Sequence, residues 1–339
     1  ISDEPIVFQD QEAVERLSVI ADGFLTHNRP IFRRCDDSVV QWAAGGLRLV
    51  RRARGYTPEP ISILESGRAI LACGGEQKNT FCLTRSNQAF ISQHIGDLQN
   101  IATLESFQRE IGYFCTMFNV EPQVLAYDLH PDYLSTREAK RRSEQEHVPL
   151  MQVQHHWAHM ASCMADNGLN GSCFGIIWDG TGLGTDGNIW GGEFLTGNLE
   201  SFQRAGSIRP VLLPGGDRAV REIGRIALSL AKDTELSDLS CVPLPEGKRR
   251  MLSSLIDMAP SSLPAASSIG RLFDGVCALI LGRSEIDYEG EGAALVEAVS
   301  PVETPNLISK ELYNQILPER EQNSRCQPPA SLQELAWPV

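Results

Sequence analysis

The sequence lacks any paired-cysteine motif. Its nine cysteines are scattered, and no two of them form a C-x-x-C pattern. Several stand within apolar runs, as Cys73, Cys82 and Cys277 do. This distribution favours reduced thiols and a cytoplasmic location over a disulfide framework or a cysteine-based zinc site.

Long apolar runs are also missing. No stretch approaches the roughly 20 apolar residues that a membrane helix needs. The opening ISDEPIVFQD has neither the basic start nor the apolar centre of a signal peptide. Because the first residue is not Met, we expect the sequence to begin inside a longer protein. From the lack of a long apolar run we expect no membrane partner.

Positive charge is scarce. The chain has 30 Lys and Arg against 43 Asp and Glu, a net charge of −13 and a pI of about 5.1. This balance argues against nucleic acid as a partner. The length of 339 residues suits two domains or one bilobal domain. The motifs of α/β-hydrolases, P-loop proteins and zincins are absent, so those classes are disfavoured.

A histidine cluster stands in the stretch VQHHWAHMAS. On a helix, His155 and His159 share a face with Cβ atoms roughly 5–6 Å apart, so both imidazoles can reach one metal ion. His156 is predicted to point elsewhere. Neutral imidazoles favour Zn or Fe, and an open site needs a third ligand, commonly a carboxylate. The pair therefore predicts a contact with a metal or with a substrate.

A glycine-rich turn follows directly, in FGIIWDGTGLGTDGNIWGGEFL. Glycine lets main-chain N–H groups approach an anion closely, so this strand–turn–strand unit predicts a phosphate contact. Asp179 and Asp186 either hold a phosphate-bound cation or a hydroxyl group, or serve the turn itself. Trp178 and Trp190 are predicted core residues.

An earlier stretch, ILACGGEQKNTFCL, also reads as strand, glycine turn and strand. Alone it would indicate only a hairpin. Because the pattern recurs about a hundred residues later, it predicts a duplicated, actin-like ATP-binding α/β fold. In such folds two hairpins hold phosphates from opposite sides of a cleft, and Lys78 and Asn79 stand at the exit of the first.

Three further groups of polar residues can each be interpreted in two ways. Asp128 and His130, after a predicted strand, are either ligand residues at its carboxyl end or a capped loop. Asp274 lies among apolar residues, so it either faces solvent or meets a partner such as a ribose, because unpaired burial is costly. The arginines near residue 51 form either a solvated linker or, with Ser38, an anion-binding rim.

The apolar periodicity predicts a series of helices. They cover residues 11–27, 100–118, 136–147, 247–258, 266–281 and 287–298, the fifth with Ser267 and Ser268 as its caps.

Eight stretches resemble one family, the hydrogenase-maturation carbamoyltransferases called HypF, and they occur in family order. They are DDSVVQ, RRARGYTP, ILACGGEQKNTFCL, ISQHIGDLQN, DLHPDYLST, VQHHWAHMAS, DGTGLGTDGNIWGGEFL and SIGRLFDGVCALILG.

The resemblance implies an actin-like (ASKHA) transferase lobe preceded by the end of a YrdC-like lobe. Residues 1–58 would close the YrdC-like lobe, residues 59–170 would be the first half of the transferase lobe, and residues 171–339 its second half. The second half would be incomplete, because the family's late glycine-rich motif and C-terminal metal-ligand aspartate are not found.

The resemblance also implies an activity. In this family the YrdC-like lobe makes carbamoyl-adenylate from carbamoyl phosphate and ATP. The transferase lobe passes the carbamoyl group to the C-terminal cysteine thiol of the partner HypE, for the cyanide ligand of the nickel–iron hydrogenase. The cofactors implied are ATP, a divalent Fe or Zn ion, and Mg with the ATP.

Site residues follow from the same resemblance. His155 and His159 would be metal ligands and, with Asp179, catalytic residues. The nucleotide-binding residues would be Lys78, Asn79, Asp179, Gly180, Thr181, Gly182 and Gly184, with Ser38, Arg52 and Arg54 in the upstream anion site. Asp274 joins the nucleotide-binding set from its own position among apolar residues, as the ribose contact.

Three alternatives remain open. An O-carbamoyltransferase or a tRNA threonylcarbamoyl transferase would use the same scaffold. The upstream position of RRARGYTP and the net charge of −13 favour the HypF interpretation over both. A non-catalytic, truncated fragment is the third alternative, and its abrupt end supports it.

Overall fold

A computed structural model describes residues 6–43 and 45–300. Cα packing divides the chain into two units. Among the described residues, the first unit comprises 6–41, 47–210 and 265–269, and the second comprises 42–43, 45–46, 211–264 and 270–300. The first unit continues across residues 58 and 170, and the three predicted lobes stay a prediction.

The N-terminal part is a short helix and a strand pair. Helix α1 covers Asp10–Leu17, and strands β1 (Val39–Ala43) and β2 (Gly46–Arg51) pair with each other. The prediction of a helix over 11–27 was wrong in length, because α1 ends at Leu17 and buries none of its side chains. Without a surface to cover, its apolar spacing does not sustain a longer helix.

A six-stranded sheet forms the first part of unit 1. Its order is β3-β6-β5-β4-β7-β8, with β4–β5 and β5–β6 antiparallel and β4–β7 and β7–β8 parallel. The strands are β3 (Ile61–Ser62), β4 (Ile70–Ala72), β5 (Cys82–Arg85), β6 (Gln88–Ile91), β7 (Val124–Asp128) and β8 (Leu150–Val153). The strand, turn and strand that the sequence predicts after residue 69 are confirmed as β4, the turn that follows it, and β5.

Two helices flank this sheet. Helix α2 (Ile101–Phe118) begins where the Asn100 side chain accepts the N–H of Ala102, and ends at Asn119 in the left-handed conformation. Its Phe107 and Phe114 pack edge-on against Phe81, in a fully buried core. Helix α3 (Leu134–Glu146) joins β7 to β8 as a parallel crossover requires.

A second antiparallel meander follows helix α4 (His155–Asp166). Its strands are β9 (Cys173–Leu183), β10 (Ile189–Gly197) and β11 (Phe202–Ser207). Strand β10 pairs with both neighbours, and β13 (Ala265–Ser268) pairs in parallel with its start. Each half therefore opens with a glycine turn inside an antiparallel meander, as the duplication predicts.

Ser267 differs from its prediction as a helix cap, whereas Ser268 stands directly before the next helix. Both belong to β13 and pair with β10, and helix α8 (Ile269–Leu281) starts only after them. Neighbouring strand β10 offers main-chain partners that a sequence pattern does not show.

Unit 2 is mainly helical. It contains β12 (Val211–Leu212), α5 (Arg218–Arg221), α6 (Gly224–Asp233), α7 (Glu246–Met258), most of α8, and α9 (Glu291–Val299). Its core is apolar and includes Ile223, Ala227, Leu228, Leu252 and Cys277. Within the described part of the chain, no helix has the length and apolarity that crossing a membrane would require.

Candidate functional site

The candidate site lies at the junction between strand β8 and helix α4. The Gln154 side chain accepts the N–H of Trp157 at 2.8 Å, so the helix starts with its cap satisfied. This start places His155 and His159 one turn apart. Their Nε2 atoms lie 3.2 Å from each other.

Asp179 on β9 brings an oxygen to the same point. Its Oδ2 lies 3.2 Å from Nε2 of His155 and 3.9 Å from Nε2 of His159. A tetrahedral zinc ion with bonds of about 2.0–2.1 Å separates neighbouring ligand atoms by roughly 3.3 Å. The three atoms are thus spaced as ligands of one ion, and two imidazoles with a carboxylate suit Zn or Fe.

Asp128, at the end of β7, contacts the Nδ1 side of the His155 imidazole. Its Oδ2 lies 2.7 Å from Nδ1 of His155, and its Oδ1 accepts the N–H of His130. A carboxylate on Nδ1 holds the proton there and leaves Nε2 free to bind a metal. Of the two interpretations of Asp128, the structure favours a site residue.

The electrostatics of the histidines follow from burial and these carboxylates. Burial opposes a charge on His155, but Asp128 and Asp179 outweigh it and raise the pKa of His155 to about 9. Burial dominates at His156 and lowers its pKa to about 4. Burial would raise the pKa of Asp179, but the three histidines hold it below its usual value. Without a metal, His155 is therefore charged at neutral pH and faces the ionised carboxylate of Asp179.

Both glycine turns border these imidazoles. A Cβ added to Gly75, in the first turn, would lie 3.6 Å from Cε1 of His155. A Cβ added to Gly182, near the end of β9 where the strand leads into the second turn, would lie 2.7 Å from Cδ2 of His155 and 2.6 Å from Cε1 of His156. The two turns and the histidine pair thus converge on one place in unit 1.

The second turn is held by its own polar groups. Gly180 donates its N–H to Oδ1 of Asp179, and its carbonyl accepts the hydroxyl of Ser268. Thr181 donates its hydroxyl to the Gly180 carbonyl. Gly184 lies against Trp190, leaving no room for a Cβ.

Asp186 serves the same turn. It accepts the N–H of Asn188 and the indole N–H of Trp190, and it pairs with Arg204. Of its two interpretations, the structure favours turn chemistry.

The first turn closes through Asn79. Its amide donates to the carbonyls of Cys73 and Gly75, and the side chain is only 2% exposed. Lys78 adopts φ 49° at the tip, and its N–H donates to Asp97. The structure thus shows Asn79 shaping the turn, and its contact with a nucleotide stays a prediction.

The three upstream candidates bind main-chain atoms. Ser38 donates to the carbonyl of Arg54 and accepts the N–H of Ala53. Arg52 donates to the carbonyls of Tyr56 and Glu59, and Arg54 donates to that of Cys35. These bonds shape the loop after β2, and an anion site there stays a prediction.

Asp274, in unit 2, is buried, and its Oδ2 lies 3.1 Å from a guanidinium nitrogen of Arg271. Burial raises its pKa to about 6, although Arg271 opposes the shift. The partner it meets in the structure is thus an arginine. Its contact with a ribose stays a prediction.

Sequence reasoning erred at two side chains. Nε2 of His156 faces Oδ2 of Asp179 at 3.6 Å, so His156 does not point away from the cluster. Trp190 is buried as predicted, but Trp178 is 59% exposed. Strand alternation could have found the second error, because Ile177 next to it points inward.

Comparisons with known proteins show which family the chain belongs to. The profile of the HypF Kae1-like domain matches residues 65–166, and that of the second subdomain of the Kae1-like carbamoyltransferase domain matches residues 175–327. The carbamoyltransferase HypF2 of Cupriavidus necator is 42% identical over 88% of this chain and 37% of its own length. The HypF of Synechocystis is 39% identical over 95% of this chain and 43% of its own length.

Two solved structures share the fold. Full-length HypF in its phosphate- and nucleotide-bound form superposes with a TM-score of 0.82 at 43% identity, covering 88% of this chain and 39% of that one. T. kodakarensis HypF superposes with a TM-score of 0.79 at 34% identity, covering 87% and 40%.

These matches confirm the predicted actin-like fold, which the matched family descriptions call Kae1-like. The chain spans about two fifths of the length of the relatives it matches. It belongs to the HypF carbamoyltransferase family.

Proposed function

We propose that this chain carries the carbamoyl-transfer site of a HypF-type enzyme. Its donor would be carbamoyl-adenylate, made from carbamoyl phosphate and ATP, and its acceptor the C-terminal cysteine thiol of a HypE-type partner. The observation that carries the proposal is the convergence of His155, His159 and Asp179 on one point beside both glycine turns.

His155, His159 and Asp179 would hold a divalent Fe or Zn ion, with Asp128 fixing the orientation of His155. When bound, such an ion polarises the carbonyl of an acyl group as a Lewis acid. The ligand spacing fits that role because three protein atoms leave further coordination positions open.

The two glycine turns would receive the phosphate of the adenylate, with Mg accompanying ATP. Main chain without a Cβ lets a phosphate approach closely, and N–H groups stabilise the charge that the leaving group develops. The nucleotide-bound relative with this fold supports the assignment.

The transfer step needs little base catalysis. A thiol with a pKa of about 8.5 is already partly thiolate at neutral pH. Its sulfur would bond to the carbamoyl carbon, and the bond from that carbon to the phosphate oxygen would break. AMP would leave with the electron pair, and a thiocarboxamide would remain on the cysteine.

The test is carbamoyl transfer from labelled carbamoyl phosphate and ATP to a peptide ending in cysteine. A full-length family member assayed alongside shows whether regions outside this chain are needed. Labelled peptide is expected with the full-length protein, and its loss is expected when the residue matching His155 becomes Ala. A peptide ending in serine is the matched control, and equal labelling of both peptides would contradict a thiol acceptor.

Metal binding is tested on this chain directly. Dialysed protein is expected to retain one equivalent of zinc or iron, and His155→Ala to retain none. His147→Ala is the control, because His147 is exposed at the end of α3. Equal metal content in wild type and His155→Ala would contradict the proposed site.

A further inference from the structure

His156 is a buried histidine to which the proposed site gives no task. Its side chain is 0% exposed, although it stands between two exposed or half-buried positions of α4. Its Nε2 faces Oδ2 of Asp179 at 3.6 Å and has no hydrogen-bond partner among the residues that the structure describes. A buried polar atom without a hydrogen-bond partner lowers the free energy of unfolding, so the direction of this Nε2 atom requires an explanation.

The hydrogen bonds of Gln154 determine where the proton of His156 resides. The Gln154 carbonyl oxygen accepts the N–H of Trp157, and its amide nitrogen donates to the carbonyl of Leu183 at 3.1 Å. These two backbone partners fix which end of the amide is nitrogen.

The same amide nitrogen lies 3.1 Å from Nδ1 of His156. Since an amide nitrogen only donates, Nδ1 must be the acceptor. A neutral imidazole with an accepting Nδ1 carries its hydrogen on Nε2, the atom that faces Asp179.

We propose that His156 is a positioning residue for the third ligand: its Nε2–H, fixed by Gln154, points at Oδ2 of Asp179 across 3.6 Å, and its attraction to that carboxylate holds Asp179 toward the two metal-binding imidazoles. The inference deepens the proposed function and depends on its metal site. Carboxylates that bind metals are commonly held by a hydrogen-bond donor behind them.

Packing keeps the ring in this position. Gly182 lies directly against it, since a Cβ there would come within 2.6 Å of Cε1 of His156. The indole of Trp190 lies on another side, with ring centroids 5.9 Å apart. Two of the three proposed ligands are then each oriented by a neighbouring side chain. Asp128 orients His155, and His156 orients Asp179.

The tautomer can be measured in the wild-type chain. Long-range proton–nitrogen NMR spectra of histidine labelled with ¹⁵N distinguish the two neutral forms, and the signals of His156 are those absent from His156→Asn. The Nε2–H form is expected in both the metal-free and the zinc-loaded protein. A hydrogen on Nδ1 would overturn the inference.

Two substitutions separate positioning from packing. The amide nitrogen of a glutamine reaches the place of Nε2, whereas an asparagine reaches only the place of Nδ1. We therefore expect His156→Asn to weaken zinc affinity about 10–100-fold, and His156→Gln to stay within about threefold of wild type. Both variants remove the same ring, so the melting temperatures of their metal-free forms should be similar.

His147→Asn is the matched control, because that histidine is exposed and its left-handed conformation suits asparagine. Equal zinc affinity of His156→Asn and His156→Gln, whether kept or lost, would overturn the positioning role. If neither variant folds, the wild-type tautomer decides.

Failure of the proposed metal site gives a different result. Wild type would then retain no zinc, or His155→Ala would bind it as tightly as wild type, and both ideas would be overturned together. A wild type that binds zinc while His156 carries its hydrogen on Nδ1 overturns only the inference about His156.

Discussion

The two glycine turns border the same imidazole but need glycine for different reasons. Gly74, in the first turn, has φ +70°, and a Cβ there would lie 2.2 Å from the carbonyl oxygen of Thr80. Gly182, on β9 where the strand leads into the second turn, lies outside the left-handed region but has two histidine rings against it. The first turn therefore depends on backbone conformation, and the second on space beside the site.

This difference predicts two kinds of damage. Substitutions in the first turn should lower the stability of the chain and leave the imidazoles in place. Substitutions in the second turn should move the imidazoles themselves, because their rings are held by Asp128 and Gln154 and cannot yield freely.

The largest effect is expected from Gly182→Ala. Its methyl group would displace both neighbouring rings, so zinc affinity should fall by more than about 100-fold, or about 2.7 kcal/mol. Competition with a chromophoric chelator measures this. Gly206→Ala, on β11 with its nearest atom at 3.7 Å, should bind as wild type does. Wild-type zinc affinity in Gly182→Ala would show that the imidazoles do not need the space beside Gly182.

Gly74→Ala should act on stability instead. A left-handed alanine and a clash with a main-chain oxygen should lower the free energy of unfolding by about 2–4 kcal/mol. Urea denaturation measures this, and zinc affinity of the folded fraction should stay within about threefold. Gly112→Ala, in open space on α2, should instead stabilise by about 0.5–1 kcal/mol.

Asp128→Asn tests a support that lies outside both turns. The amide removes the charge behind His155, so zinc affinity should fall about 10–100-fold. Asp132→Asn, on the same loop but exposed, is the control. Equal binding by the two variants would show that His155 is oriented without Asp128.

The smallest effect is expected from Asn79→Ala. It removes the two hydrogen bonds that close the first turn, which should cost about 1–3 kcal/mol of stability. Thermal melting measures this loss, with the exposed Asn170→Ala as its control. A large loss of zinc affinity without a loss of stability would show that the first turn, too, positions the site.

The sequence sufficed for much of the fold. The glycine turns, the helix over His155 and His159, and the strand ending at Asp128 all follow from local periodicity and turn chemistry. The sequence-based prediction was wrong where a residue's partner lies far away along the chain. Ser267 looked like a helix cap, yet it pairs with Trp190 on β10.

The spacing of His155 and His159 is enough to place two imidazoles on one helix face, because the helical period is a property of the chain alone. Which side chains contact those imidazoles depends on tertiary packing. Asp128, Asp179 and His156 come from a strand end, a second strand and the same helix. Their approach depends on how sheets and helix pack, and no pattern within one segment specifies that packing.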